Sequence, residues 1–215
     1  AVRAVVLTGA GDNYCAGGDL AWMRAQAEVD RETRLAEAMK LARMLGALNA
    51  LPKPLIGRIN GPAYGGGVGM MSVCDVAVGV EGARFGLTEV RLGLIPATIS
   101  PYVVARMGEA KARRVFFSAR LFGAEEACKL GLLARSVPED ALDAAVEAEV
   151  APYLAAAPEA VAASKALVRS LGPQVTEAVM QDTARRLADA WETASAAEGI
   201  AAFFEKRRPA WPGLG

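Results

Sequence analysis

Three consecutive glycines and a later carboxylate are the residues of this chain that are best suited to chemistry. The glycines stand in GPAYGGGVGMMSVCD, residues 61–75, at the predicted start of a helix. Glycine lets a backbone approach a ligand closely, and the first N–H groups of a helix have no partner inside it. Such groups can hold a developing oxyanion, and Glu89 in FGLTEVRLGLIP, residues 85–96, can move a proton nearby. The pattern therefore predicts proton chemistry beside an activated carbonyl.

The composition excludes several other kinds of chemistry. The 215 residues contain no histidine, which removes the Ser/His/Asp and Cys/His nucleophiles and the zinc hydrolases. Lys plus Arg and Asp plus Glu both number 24, so the charge gives no reason to expect a nucleic acid or a membrane as partner. Acid–base chemistry must therefore use carboxylate, tyrosine, lysine, cysteine or backbone groups.

The three cysteines indicate a reducing compartment. Cys15, Cys74 and Cys128 lie far apart and lack the CxxC spacing, which is typical of reduced thiols and not of a disulfide frame or a zinc site. The most apolar run, residues 61–80, contains Asp75 and several glycines, so a buried helix and strand fit it better than a membrane span. We predict a cytoplasmic protein without a metal site.

Alternating strands and helices predict an α/β fold with a parallel sheet. The predicted strands span residues 2–7, 55–59, 74–80, 83–86 and 133–137, and the predicted helices 19–48, 65–72, 99–107, 111–117 and 122–131. Beyond Pro138 the chain is almost wholly helical. We therefore divide it into an α/β core, residues 1–137, and a helical section, residues 138–215. Because the chain opens on a strand, we expect a first strand pair to precede it.

Five segments spread along the chain form a set. They are YCAGGDL at residues 14–20, NGPAYGGG at 60–67, CD at 74–75, FGLTEVRLGLIP at 85–96 and EGIAAFFEKRR at 198–208. In this order they resemble the crotonase, or enoyl-CoA hydratase/isomerase, superfamily. The resemblance implies the crotonase (ClpP-like) fold, in which a repeated ββα superhelical core binds acyl-CoA. A helical C-terminal section then makes trimers, which are often paired into hexamers.

The resemblance also implies roles for individual residues. In the family the thioester carbonyl of an acyl-CoA lies between two backbone N–H groups, and the matching positions here are Gly18 and Gly66. Glu89 matches the carboxylate that exchanges a proton at the α-carbon of the acyl group. Its apolar neighbours in sequence predict a raised pKa if the side chain is buried, which suits an acid.

Coenzyme A would be bound as part of the substrate, so no separate cofactor is expected. By the family pattern, the region of Ala16 and Leu20 contacts the adenine end. Phe203 and Lys206 of the last helix help to enclose coenzyme A, from a neighbouring subunit. Lys206 lies in a basic cluster, which suits a phosphate. Tyr64 could line the acyl pocket, and a core role is equally open.

A substrate with a second carboxylate would need a cation near the end of its acyl group. Arg91 and Arg106 are the two candidates that lie near Glu89 in sequence. Asp19 and Asp75 are expected to be structural, as capping or loop-fixing groups.

One departure from the family pattern leaves the reaction open. Hydratases of the best-known type carry a second glutamate two residues after the glycine triplet, where it helps to activate water; here this residue is Gly69. Members with a single glutamate at the position of Glu89 include isomerases, which move one proton between two carbons. The segment LTEVRLGLIPATISPYVV, residues 87–104, is nevertheless most similar to the methylglutaconyl-CoA hydratases of leucine breakdown.

Three functions follow from these observations, in order of preference. The first is hydration of a 2-enoyl-CoA, such as a 3-methylglutaconyl-CoA-like substrate, through an enolate stabilised by an oxyanion hole. The second is a Δ3,Δ2-enoyl-CoA isomerase that uses Glu89 alone. The third is a non-catalytic acyl-CoA-binding protein, against which the presence of Glu89 argues.

Overall fold

The computed structural model describes residues 2–211, which form seven short strands and ten α-helices. The strands are β1 (Val5–Thr8), β2 (Leu55–Ile59), β3 (Ala63–Tyr64), β4 (Val76–Val80), β5 (Arg84–Gly86), β6 (Phe122–Gly123) and β7 (Arg135–Val137). The helices are α1 (Leu20–Glu28), α2 (Arg31–Ala50), α3 (Gly66–Val73), α4 (Ser100–Met107), α5 (Glu109–Phe116), α6 (Ala124–Leu130), α7 (Leu142–Ala155), α8 (Pro158–Leu171), α9 (Glu177–Trp191) and α10 (Ala194–Phe204). Two 3-10 helices, Glu89–Leu92 and Glu139–Ala141, complete the set.

The strands form two sheets, and a repeated ββα unit contributes strands to both of them. One sheet is parallel throughout, in the order β1-β2-β4-β7, and the other has the order β3-β5-β6. In the units β2-β3-α3 and β4-β5-α4, the first strand joins the larger sheet and the second joins the smaller one. The predicted α/β fold with a parallel sheet is therefore confirmed.

Apolar strands and their covering helices make the main core. Leu55, Ile56 and Ile59 of β2 have no exposed surface, as expected for a parallel strand covered on both faces. Helix α7 packs against β2 and β4, α3 packs against α4, and α9 lies along α2. Within residues 2–211, no helix is both long enough and apolar enough to span a bilayer.

The predicted helix over residues 19–48 is wrong in one respect, because two helices occupy this segment. Helix α1 ends at Glu28 and α2 begins at Arg31. Asp30 caps the second helix by accepting a hydrogen bond from the Thr33 N–H at 2.8 Å, and Asp19 caps the first by accepting one from the Trp22 N–H at 2.7 Å. The structural role predicted for Asp19 is confirmed.

Candidate active site

Backbone pairing brings together the two loops that carry Gly18 and Gly66. Cys15 forms an isolated parallel bridge with Ala63, and the Tyr64 N–H donates a hydrogen bond to the Cys15 carbonyl at 3.1 Å. Gly18 and Gly66 follow the bridged residues at the same distance along the chain. Because backbone hydrogen bonds hold the two loops, the relative position of these glycines depends little on side chains.

The start of α3 is built for close approach. Gly65 adopts φ +51°, which favours glycine, and its N–H donates to the Gly86 carbonyl at 3.0 Å. A Cβ at Gly65 would lie 3.0 Å from Oε1 of Glu89, so the carboxylate lies directly against this backbone. Gly66 is the first residue of the helix, and a Cβ there would meet no atom within 4 Å. Its N–H has no acceptor within residues 2–211, which leaves it available to a ligand.

Glu89, the predicted acid of the site, has apolar surroundings. It begins the 3-10 helix Glu89–Leu92, and its Oε2 atom is buried without a hydrogen-bond partner in the described part of the chain. Burial disfavours the charged form and raises the pKa of Glu89 to about 7, against a smaller lowering by a hydrogen bond from its own backbone. Near neutral pH the side chain can therefore both accept and give a proton.

Close backbone contacts with α10 fix the position of this 3-10 helix. Gly93 ends it with φ +69°, and a Cβ there would lie 2.3 Å from the Ser195 carbonyl oxygen. A Cβ at Gly199 would lie 2.5 Å from the carbonyl carbon of Leu92. Neither position admits a side chain, since these contacts are with backbone atoms that cannot rotate away. Glu89 is thus held between the start of α3 and the backbone of α10.

A cavity of about 530 Å³ opens where these groups meet. It is bordered by the loop before α1, by the start of α3, by residues 88–99 and by parts of α1, α2, α9 and α10. Glu89 and Arg91 are the charged residues among those that line it within the described part of the chain. Such a cavity, mostly apolar with a few polar groups, suits a small-molecule ligand with one reactive polar centre.

The family described as enoyl-CoA hydratase/isomerase matches residues 1–213 of the chain. The chain belongs to this family. A Thermus thermophilus protein, provisionally named an enoyl-CoA hydratase, is 38% identical over 210 residues, which are 97% of this chain and 82% of that relative. An Alternaria alternata enoyl-CoA hydratase is 39% identical over 169 residues, or 78% of this chain, and the match spans only 55% of that relative.

Solved structures agree with the family assignment. A Shewanella pealeana enoyl-CoA hydratase superposes with a TM-score of 0.77 at 41% identity, over 97% of this chain and 78% of that one. The predicted crotonase fold is therefore confirmed. The protein is an enzyme of the enoyl-CoA hydratase/isomerase family, and an acyl-CoA is the kind of substrate that this family uses.

The structure gathers most of the predicted site residues of this family member around one cavity. Those that line it are Ala16, Gly18, Leu20, Tyr64, Gly66, Glu89 and Phe203. Lys206 is not among the lining residues; it follows the end of α10, is exposed and has φ +55°. The roles assigned to these residues by resemblance stay predictions.

A side chain at the position of the family's second glutamate would collide with Ile99. A Cβ at Gly69 would lie 2.5 Å from Cγ2 and 2.9 Å from Cβ of Ile99, the residue that precedes α4. Ile99 is itself buried and lines the cavity. An apolar side chain from α4 thus occupies the space that a side chain at position 69 would need.

The two candidate cations have different surroundings. Arg106 donates hydrogen bonds to the carbonyls of Cys74 and Asp75 at 3.0 and 3.2 Å and does not line the cavity. It therefore stabilises the backbone at these two residues. Arg91 lines the cavity, is exposed, and forms no salt bridge within residues 2–211. Asp75 accepts from Lys165 at 2.7 Å, which fits the structural role predicted for it.

Several residues of the cavity wall were not predicted. Leu187 and Trp191 of α9 and Leu41 of α2 lie far from the glycine segments in sequence. Thr98 and Ile99 lie within residues 87–104, but nothing in their residue types indicates that they face a ligand. Only the packing of α2, α4 and α9 around the cavity identifies them.

Proposed function

We propose that the protein adds water across the C2=C3 bond of a 2-enoyl-CoA. The observation that carries the proposal is the close approach of Glu89 to the backbone at Gly65, beside Gly66. Within residues 2–211 the Gly66 N–H has no acceptor, and it lines the same cavity as the Glu89 carboxyl, whose pKa is raised to about 7. A thioester carbonyl bound by the N–H groups of Gly18 and Gly66 would take up negative charge there. The adjacent carbons of the acyl group would then lie beside Glu89.

One glutamate is sufficient for a balanced reaction. The water oxygen forms a bond to C3, the C2=C3 electron pair moves towards C1, and the thioester oxygen gains the charge that Gly18 and Gly66 stabilise. The Glu89 carboxylate takes one proton from the water as it attacks. The same proton then passes from Glu89 to C2, the thioester carbonyl is restored, and the enzyme returns to its first state. A pKa near ambient pH favours both transfers.

The acyl group is the part of the substrate that Arg91 and the apolar wall would select. Arg91 lies two residues after Glu89, lines the same cavity and has no anionic partner among residues 2–211, so a second carboxylate on the substrate would complete an ion pair. This supports a 3-methylglutaconyl-CoA-like substrate and a place in leucine breakdown, as the resemblance of residues 87–104 implies.

Coenzyme A and the assembly are part of the same proposal. Ala16 and Leu20 line the cavity and are expected to contact coenzyme A. Phe203, which was expected from a neighbouring subunit, lines the cavity of its own chain, and Lys206 of a neighbouring subunit would help to enclose coenzyme A. The proposed assembly is a trimer or a pair of trimers, formed through residues 138–215 in the cytoplasm. No separate cofactor is proposed, since the reaction needs only a base and a bound thioester.

A Δ3,Δ2-enoyl-CoA isomerase is the second candidate, and the closure of position 69 by Ile99 favours it. Isomerisation needs a single proton carrier and no bound water, so Glu89 would be sufficient. The purified protein should therefore be offered crotonyl-CoA, 3-methylglutaconyl-CoA and a 3-enoyl-CoA. Water addition to either 2-enoyl substrate supports the hydratase, and conversion of the 3-enoyl substrate alone supports the isomerase. No turnover of any of them would favour a non-catalytic acyl-CoA-binding protein.

A further inference from the structure

Hydration requires the attacking water to be held, and Ile99 removes the place from which a second glutamate would hold it. A water that is hydrogen-bonded only to Glu89 can rotate about that bond, so its lone pairs have no fixed direction. Hydration therefore needs another polar group in the cavity that can hold the water in place of the missing carboxylate. Besides Arg91, which is exposed, the candidates that line the cavity are the uncharged side chains of Trp22, Tyr64, Thr88, Thr98 and Trp191.

Thr98 differs from the other candidates in its burial and its hydrogen bonding. It is only 4% exposed, yet its hydroxyl makes no hydrogen bond within residues 2–211. The same hydroxyl is not among the fully enclosed unpartnered atoms of that part of the chain, so it keeps some accessible surface. Because Thr98 lines the cavity, we infer that this surface faces it.

The neighbours of Thr98 strengthen this reading. It immediately precedes Ile99, whose side chain fills the space beside Gly69. Trp22, by contrast, is 40% exposed, so solvent can satisfy its ring N–H. A buried hydroxyl without a partner costs free energy, and a bound water would satisfy it.

We propose that the hydroxyl of Thr98 holds the attacking water in place of the second glutamate. The inference rests on the proposed hydratase function. In it, one hydrogen of the water points to Glu89 and the other to the oxygen of Thr98, which leaves a lone pair directed at C3. Thr98 moves no proton: Glu89 alone carries the proton from water to C2, so the balance of the reaction is unchanged. Thr98 acts by positioning a reacting molecule.

The test uses Thr98→Val, which keeps the shape of the side chain and removes the hydroxyl. We expect kcat for hydration to fall by about 10- to 100-fold, the effect of losing one hydrogen bond in the transition state, and Thr98→Ser to restore most of it. Exchange of the α-proton of a saturated acyl-CoA with deuterium oxide needs only Glu89 and the two N–H groups. This exchange should be unchanged in Thr98→Val.

A matched control is Thr183→Val, the same change at a half-buried threonine of α9 that does not line the cavity, which should keep hydration within about twofold. An equal fall of hydration and α-proton exchange in Thr98→Val would indicate general damage and overturn the inference. So would full hydration activity in Thr98→Val, or equal losses at both threonines. If the parent enzyme exchanges the α-proton but hydrates none of the substrates, the proposed hydratase function itself fails, and the role of Thr98 with it.

Discussion

Gly66 and Gly69 lie one turn apart in α3, and their surroundings are opposite. A Cβ at Gly66 would meet no atom within 4 Å, whereas a Cβ at Gly69 would lie 2.5 Å from Cγ2 of Ile99. The first glycine borders the cavity and has a free N–H; the second lets α4 pack directly on α3. The comparison teaches that neighbouring glycines can meet two different requirements, ligand access and close packing. Substituting Gly66 and Gly69 one at a time can separate the two.

The largest effect is expected at Glu89, which lies against the open end of α3. Glu89→Gln should lower hydration by about 10²- to 10⁴-fold, the usual contribution of a general acid–base group. Because the amide is nearly the same size, acyl-CoA affinity should change little. Steady-state kinetics and binding of a saturated acyl-CoA measure the two quantities. Turnover at the parent rate would show that the open side of α3 is not where the chemistry occurs.

The next effect tests the open glycine directly. Gly66→Ala should leave the melting temperature almost unchanged, since among residues 2–211 no atom outside the helix's own backbone lies within 4 Å of the new methyl group. The methyl group would enter the proposed thioester site, and a displacement of the carbonyl by about 1 Å can cost about 10²-fold in rate. Thermal unfolding and kcat/KM should therefore diverge. A loss of stability without a loss of activity would refute the assignment of the open space to the substrate.

Gly69→Ala should show the reverse behaviour. Its methyl group would overlap Ile99, so we expect a loss of about 1–3 kcal/mol in the free energy of unfolding, measured by urea titration. Ile99→Ala removes the overlapping Cγ2 atom. The double variant should therefore be more stable than the sum of the two single changes predicts. Strict additivity would mean that the contact between α3 and α4 does not decide the residue at position 69.

The smallest effect concerns the stability of the fold as a function of pH. Burial raises the pKa of Glu89 from its ordinary value of 4.5 to about 7, so the folded state holds this proton more tightly than the unfolded state. The contribution of Glu89 to stability therefore falls as the pH rises from 4.5 to 7 and is constant above 7. Relative to the parent, the free energy of unfolding of Glu89→Gln should therefore rise by about 2 kcal/mol between pH 4.5 and 7, after allowance for partial exposure of the side chain.

Denaturant titrations of the parent enzyme and Glu89→Gln at pH 4.5, 6 and 8 measure this difference. The two proteins should be most alike at pH 4.5, where the parent carboxyl is protonated. A constant difference across the three values would contradict a raised pKa at Glu89.

Local sequence patterns were sufficient to predict the strands of the larger sheet and the raised pKa of Glu89. The apolar run of β2 and the glycines that follow it predicted a buried strand and a helix start, and both are present. The apolar residues around Glu89 predicted a raised pKa, which is confirmed. The break between α1 and α2 also had a local signal, because Asp30 is a good N-cap residue in an otherwise continuous helical pattern.

Other features depend on contacts that no local pattern contains. Strands β3 and β6 have two residues each, too few to show a period of two. Ile99, the residue before α4, occupies the space beside position 69, and α9 supplies cavity residues from near the end of the chain.

The bridge between Cys15 and Ala63 has a consequence for how such an enzyme can diversify. The loops of Gly18 and Gly66 are tied by main-chain hydrogen bonds, whereas the far wall of the cavity is made of side chains from α2 and α9. Mutations can therefore remodel that wall in many ways without moving the backbone groups opposite it. Evolution or directed mutagenesis can therefore vary the acyl group that is accepted while Gly18, Gly66 and Glu89, the proposed donors and acid, stay in place.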